Sequence, residues 1–346
     1  MQFMRGIVTI LFAISAMTSP AMGQSMPAIG TIDYYGIRHT NKSVIERALQ
    51  ITPGDEVPKS PLAAQARLAA VPGVARARLN FVCCDSLGKT ILYVGIQEKG
   101  VPELHFRPAP KGEARLPADI VKAGRAYDAA LIKAVVSGDA GEDDSSGYAL
   151  SHNRGLRAIE ERFVTFAHDD RSILRKVLHD SADANQRALA AQVLGYARDH
   201  RAVVPDLAFA MSDPDSDVRN NAMRALAILA GYAQAHPSAA IKVPTRPFVN
   251  LLNSLIWSDR NKAGWALMEL TTLRDPALLA DLRERAMPAL IEMAQWKNLG
   301  HAEPYCFILG RIAGLPEKEI FSDLQDGKKA KVIAAAQQAG ATGSTR

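Results

Sequence analysis

Apolar and polar residues alternate from Ile29 to Tyr35, the period of a strand with one buried face, and the run stops at Gly36. The period then lengthens. Val44, Ile45, Ala48 and Leu49 recur at helical spacing behind Thr40, which predicts a capped helix ended by the turn Pro53-Gly54-Asp55. Ser60 and Pro61 open a second helix through Leu68, stopped by Pro72-Gly73. Strands are predicted over 74–84 and 90–98, joined across 85–89. The order over residues 28–99 is therefore strand, helix, helix, strand, strand. In the middle strand Ala75, Ala77, Leu79, Phe81 and Cys83 are expected to pack inward, leaving Arg76, Arg78, Asn80 and Val82 on an open face.

Pro102, Pro108, Pro110 and Pro117 predict an extended linker over 100–118, free of helix. Asp119 is expected to cap a helix reaching Val136, and a second helix covers 153–167 beyond an acidic, Gly- and Ser-rich loop at 138–147. The pattern leaves open whether this segment, 100–170, bridges two domains or begins the next one.

From Arg171 the chain repeats itself. Arg187, Arg219 and Arg260 align, followed three residues later by Ala190, Ala222 and Ala263, and then by Val193-Leu194, Ala225-Leu226 and Ala266-Leu267. A polar turn precedes each arginine ("DSADAN", "DPDSD", "SDRN"), and before it a short helix is expected to end near Leu178, Ala210 and Trp257. A weaker fourth copy places Tyr305, Ile308, Leu309 and Gly310 in the same positions, with 287–296 as its first helix. Small alanines where paired helices cross allow close approach, and each hairpin hides its apolar stripe only by stacking on the next.

Two resemblances follow from these residues. "IGTIDYYGIRHTNKSVIERAL", "ITPGDEV", "RLAAVPGVARARL" and "ILYVGIQEKG" together resemble a POTRA domain, and "DPDSDVRNNAMRALAIL" resembles a HEAT repeat. The first resemblance implies one sheet face packed on two helices and polypeptide binding in the bacterial envelope. Neither the β-barrel segments of its transport members nor the cytoplasmic-side anchor of its division members is present. The second implies a superhelical stack over 171–316, followed by a C-terminal tail at 317–346. It also implies a concave wall made by the second helix of each hairpin, for which Asn220, Met223, Arg224, Lys262 and Glu269 are candidates.

At the N-terminus, Arg5 precedes an apolar stretch over 6–17, too short for a membrane span, and Ala21-Met22-Gly23 supplies small residues at cleavage spacing. A signal peptide over 1–23 is expected, giving a periplasmic or secreted protein with no integral membrane span. Removing Arg5 lowers the formal net charge only from +5 to +4, with Lys and Arg interleaved among Asp and Glu, so no nucleic-acid partner is indicated. Three cysteines are too few for a disulfide scaffold. Strand alternation would bury one of Cys83 and Cys84 and expose the other, with a bridge to Cys306 or to another molecule as the alternative and a bridge between the two neighbours as the least expected outcome.

Candidate chemistry reduces to structural roles. Asp213, Asp215 and Asp217 start like a calcium loop, but Val218 and Arg224 stand where its glycine and glutamate belong; capping by Asp215 or Asp217 and pairing of Arg219 with a turn group fit better. The acidic run from Asp139 to Asp144 has no spacing that fixes oxygens around one point. Gly88-Lys89-Thr90 lacks the earlier glycine of a phosphate loop, where Cys83 stands. His168-Asp169 and His179-Asp180 sit at predicted helix ends, where the dipole accounts for them. Some HEAT-like proteins are metal-dependent hydroxylases using His-Glu pairs, yet no histidine here is followed by glutamate.

The expected fold class is thus multidomain: a small α+β, POTRA-like domain plus all-α HEAT-like superhelical repeats. The expected function is a non-catalytic envelope adaptor without cofactor or metal, binding protein or unfolded polypeptide by Arg76, Arg78, Asn80 and Val82 and by the repeat surface. An accessory subunit or enzyme acting on peptidoglycan or a cofactor, and a structural spacer, are the alternatives. Oligomeric state is left open.

Overall fold

The computed structural model describes residues 26–343, so the apolar N-terminal run and the expected cleavage after Gly23 lie outside the described residues. Two compact units emerge. One is built from residues 105–247, and the other joins residues 26–104 to residues 248–343. The division differs from the one expected from the sequence, because the sheet belongs with the C-terminal helices and the repeat region is split between the units.

The sheet-bearing unit opens with β1 (Ile29–Tyr35), α1 (Lys42–Leu49), α2 (Leu62–Ala69), β2 (Val74–Val82) and β3 (Thr90–Glu98). The sheet order is β1-β3-β2, with β1 parallel and β2 antiparallel to β3. α1 is capped by Asn41, not Thr40: the Asn41 side chain accepts from Ser43 N–H, while the backbone N–H groups of His39 and Thr40 donate to the Glu98 carboxylate. Arg67 ties α2 to the end of α1 by donating to the carbonyls of Ala48 and Leu49. One sheet face buries Ile32, Leu79, Leu92, Val94 and Ile96 against Ile45, Leu49, Ala64 and Leu68 of these helices.

β3 is buried along its whole length, on both faces. A strand covered on both sides reads as a continuous apolar run, and Ile91 to Ile96 is one. β2 stops at Val82, short of the expected end at Cys84, and Cys83 and Cys84 are joined to each other as a disulfide. This corrects the expectation of one buried and one exposed thiol, which required the strand to continue through both, and with it the alternative of a bridge to Cys306, since the pairing formed is the neighbour bridge expected least. Cys306 is a free, buried thiol.

The central unit holds α3 (Ala118–Val136), a two-residue ladder of β4 (Glu142–Asp143) with β5 (Leu150–Ser151), α4 (Arg154–Asp169), α5 (Arg171–Asp180), α6 (Ala184–Leu194), α7 (His200–Ala210) and α8 (Ser216–Ala235). α3 and α4 pack on each other and on α6, so they belong with the repeats. Asp119 does not cap α3; the helix starts behind Pro117, and Asp119 sits in its first turn. The proline-rich segment is extended and pinned to the intra-hairpin turns. Arg107 N–H donates to Ser212 O, Gly112 N–H to Asp180 O and Leu116 N–H to the Gln186 side chain.

The sheet-bearing unit closes with α9 (Arg246–Leu251), α10 (Trp257–Leu270), α11 (Pro276–Arg285), α12 (Met287–Ala294), α13 (Leu299–Ile312), α14 (Glu317–Gln325) and α15 (Lys329–Gly343). Trp257 opens α10 and does not end the helix before it. The expected tail is helical through Gly343, and α14 and α15 pack on α13. They cover that helix with Ile320, Leu324, Val332 and Ile333, which is why it is buried over most of its length.

The aligned arginines share one local geometry. Arg187, Arg219 and Arg260 each donate to the carbonyl six residues back, at Ser181, Asp213 and Ser254, and so tie the second helix of a hairpin to its own turn. All three are nearly inaccessible to water. Asp213, in the turn before α8, accepts two bonds from Arg187 and is also paired with Arg107. Asp215 supplies the α8 cap, accepting from the N–H groups of Asp217 and Val218.

Candidate functional site

The two edges of the sheet are treated differently, and that difference defines the candidate site. At β1, Lys297 donates from Nζ to Ile32 O and from its backbone to Asp33, while Glu292 accepts from the N–H groups of Gly36 and Ile37. This edge is sealed by the α12–α13 region. Gly36 sits at φ +82°, where an added Cβ would lie 2.1 Å from Ile96 O, so the sharp exit from β1 towards Glu292 requires glycine.

β2 forms the other edge. An open groove of about 470 Å³ runs beside it, floored by Ala66 and Ala69 of α2, Ala75 and Ala77 of β2, and Leu255 and Ile256 of the turn before α10. Arg76 and Arg78 are exposed at its rim, and Arg76 forms an ion pair of 2.9 Å with Glu103. A strand at a sheet edge presents backbone donors and acceptors, and the small floor leaves room for an extended chain beside them.

Of the four residues expected on an open β2 face, only Arg76 and Arg78 are exposed. Val82 is 1% exposed, and Asn80 is half-buried with Nδ2 donating to the Tyr35 hydroxyl at 3.1 Å. The reason is a second layer. Tyr35 lies across Gly95, whose missing side chain makes the room, and donates to Leu255 O at 2.8 Å. Tyr93 projects from β3 into a cluster of Trp257, Trp296 and His301. Burial holds the Tyr93 hydroxyl well above its ordinary pKa and, with Lys262 nearby, pushes His301 down to about 4.

The candidates for a concave wall are for the most part withdrawn from solvent. Met223 is fully buried, Lys262 is 3% exposed, and Asn220 and Glu269 are half-buried. Asn220, Met223 and Arg224 belong to the central unit, Lys262 and Glu269 to the sheet-bearing one. Arg224 is engaged by Glu142 of the acidic loop. Amphipathic spacing misses this because α10 is buried around almost its whole girth, charged residues included.

Around Arg224 lies a polar cluster that sequence reasoning overlooked. Glu160 of α4 is fully buried, accepts from Ser151 N–H at 2.6 Å, and is pushed up to about 7 by burial. Tyr127 and Tyr196 face the same charges. The only available sequence signal was a glutamate on the apolar stripe of α4, among Leu156, Phe163 and Ala167.

His179, the nearest catalytic offer in the sequence, stacks on Phe209 and bonds to Asp206, which also pairs with Arg175. Its nitrogen is spent on fastening α5 to α7. Among the described residues no group of three or more His, Cys, Asp or Glu is arranged to hold a metal ion, and no helix is long and apolar enough to cross a membrane.

Comparison with known proteins agrees with the repeat pattern. Residues 172–241, which span α5 to α8, match the HEAT repeats family. Similar solved structures include a designed armadillo repeat protein in complex with the peptide (KR)4, at 16% identity and a TM-score of 0.35, covering 55% of this chain and 94% of that chain. An engineered protein is similar at 16% identity and a TM-score of 0.36, covering 66% of this chain and 98% of that one. No curated protein matches significantly. Residues 172–241 are thus similar to HEAT repeats, within a mostly helical repeat-type fold that also carries a small three-stranded sheet.

Proposed function

We propose that this protein is an exported, non-catalytic scaffold of the bacterial envelope, and that it binds extended polypeptide along β2. The observation that carries the reading is the asymmetry of the sheet. β1 is sealed by Lys297 and Glu292, whereas β2 borders an open, small-residue groove with two arginines at its rim. The strand-helix-helix-strand-strand order and the mixed sheet support a POTRA-like origin for this part. HEAT repeats, which build extended surfaces from stacked hairpins, support a binding role for the rest. Export rests on the N-terminal pattern of Arg5, the apolar stretch and Ala21-Met22-Gly23.

A photo-crosslinking side chain at Arg78 in the full-length protein, expressed in its native cells, tests the site. Crosslinks to polypeptide that vanish when the probe moves to Lys42 on α1 support the reading. Absence of crosslinks from Arg78, with the protein folded, refutes it. The mass of the native protein tests export, with residues 24–346 expected and retention of Met1 refuting it.

A further inference from the structure

We propose that the Cys83–Cys84 disulfide is a reversible thiol–disulfide site served by a dithiol protein, and that its state decides whether β2 ends at Val82 or runs on through Cys84. The inference does not rest on the polypeptide-binding reading, and it is tested without a bound guest.

The residue pattern suits a strand through this pair, since Cys83 continues the series Ala77, Leu79 and Phe81 that packs on the helices. A strand directs neighbouring side chains to opposite faces, whereas a disulfide holds its two Cβ atoms within about 3.5 to 4.5 Å. Bridge and strand therefore exclude one another at these two residues. In the bridged chain the strand stops at Val82.

The backbone beyond Val82 shows what the excluded arrangement is. Thr90 N–H donates to Ala28 O, on the β1 side, so Lys89 directs its own N–H and C=O to the β2 side. Val82 faces Ile91, and continuing that register places Cys84 opposite Lys89. Asp85 stands there instead. Its N–H donates to Lys89 O at 2.8 Å, and its carboxylate accepts from Lys89 N–H at 2.9 Å. Cys84 is passed over as the extra residue of a bulge. Opening the bridge frees Cys84 to pair with Lys89 in a regular ladder, and Asp85 drops into the turn, where its carboxylate already accepts from Leu87 N–H. One partner of Lys89 replaces another, so the covalent bond is left to choose between the two arrangements. In the reduced form the open edge of the sheet gains Cys83 and Cys84.

Access fits the exchange chemistry. Cys83 is exposed and Cys84 half-buried, whereas Cys306 is a buried free thiol. A thiolate of the incoming dithiol attacks Cys83 Sγ, and Cys84 leaves as a thiolate and takes up a proton. The second thiol of the reductant then attacks the mixed disulfide and releases Cys83. The dithiol protein departs as a disulfide, having passed its electrons and protons to the pair.

The test uses the full chain equilibrated with oxidised glutathione, then treated with thioredoxin. Before treatment, alkylation under denaturing conditions is expected to label Cys306 alone; after it, alkylation of the folded chain is expected to label Cys83 and Cys84 and spare Cys306. Amide exchange followed by NMR then reads the strand. With the bridge closed, Asp85 N–H is expected to exchange slowly and Cys84 N–H fast, and reduction is expected to reverse that order, slowing Cys84 at least about tenfold. Cys83→Ser with Cys84→Ser is expected to show the reduced pattern without any reductant. The proposal is overturned if no bridge forms in oxidised glutathione, if the bridge in the folded chain resists thioredoxin, or if reduction leaves the Asp85 and Cys84 amides as they were. Should the double variant fail to fold, the reduced wild-type chain decides.

Discussion

The Tyr93 hydroxyl lies 2.5 Å from His301 Nδ1, joining the middle strand of the sheet to α13 across 208 residues of sequence. Because burial keeps the tyrosine protonated and the histidine neutral, the phenol donates and the imidazole accepts. Tyr93→Phe keeps the stacking on Trp257 but leaves a buried acceptor without a donor. The expected cost is about 1 to 3 kcal/mol, read as a lower denaturation midpoint of the sheet-bearing unit. An unchanged midpoint would show that the contact contributes nothing.

The two units are expected to respond oppositely to pH. His301 is depressed from 6.5 to about 4, so its contribution is fully present above pH 6.5 and is lost as pH falls through 4. Glu160 is raised from 4.5 to about 7, so its contribution is fully present below pH 4.5 and is lost as pH rises through 7. Each shift corresponds to at most about 3 kcal/mol. Hydrogen exchange measured by mass spectrometry at pH 5 and pH 8, corrected for intrinsic rates, is expected to show α13 better protected at the higher pH and α4 at the lower. Glu160→Gln is expected to flatten the response of α4 alone, stabilising it at pH 8 more than at pH 5. The same pH response in both helices would contradict the assignment.

Much of the local structure was legible because short-range physics sets it. β1 and β3 span the residues where the alternation and the apolar run place them, and the aligned arginines mark equivalent geometry in three hairpins. What escaped was everything decided by distant partners. No pattern near Val82 or Asn80 announces that α10, α12 and α13 will supply a second layer, since Trp257 and His301 are remote in sequence. Lys262 looked like a surface residue because charge in a helix usually marks solvent, and α10 breaks that rule. Glu142 looked like linker because nothing in the loop reveals Arg224 as its partner.

The arginine ladder gives a graded expectation. Arg187 donates to Ser181 O and makes two bonds to the fully buried Asp213, so Arg187→Ala takes two donors from a carboxylate that keeps Arg107 and the Asp215 N–H. The expected loss is about 3 to 5 kcal/mol. Arg219→Ala removes bonds to the carbonyls of Asp213 and Pro214 and a stacking contact with Phe106, with an expected loss of about 1 to 3 kcal/mol. Urea denaturation of the two variants, followed through the central unit, checks both the magnitudes and their order. Equal and negligible losses would mean that the recurring arginine is an accident of alignment.

The β2 edge gives the sharpest test of the binding reading, because its backbone and its side chains can be altered separately. Neighbouring residues on a strand direct their N–H groups to opposite sides, so of Ala77 and Arg78 one bonds to β3 and the other faces the groove. Proline at the inward position removes a ladder bond and is expected to destabilise the sheet-bearing unit; at the outward position it removes only a donor available to a guest. The variant that keeps the wild-type melting point is therefore the informative one, and it is expected to lose polypeptide crosslinking from the groove. Arg76→Ser with Arg78→Ser leaves the backbone intact and removes the rim charge. A modest, salt-dependent weakening is expected there if the partner is acidic, and none if the arginines only guard the edge against aggregation. The experiment needs the full chain, since residues 26–104 alone would expose Tyr35 and Tyr93, which pack on Trp296 and Trp257. Undiminished crosslinking by the folded proline variant would rule out strand addition and leave the side chains of the groove as the recognition element.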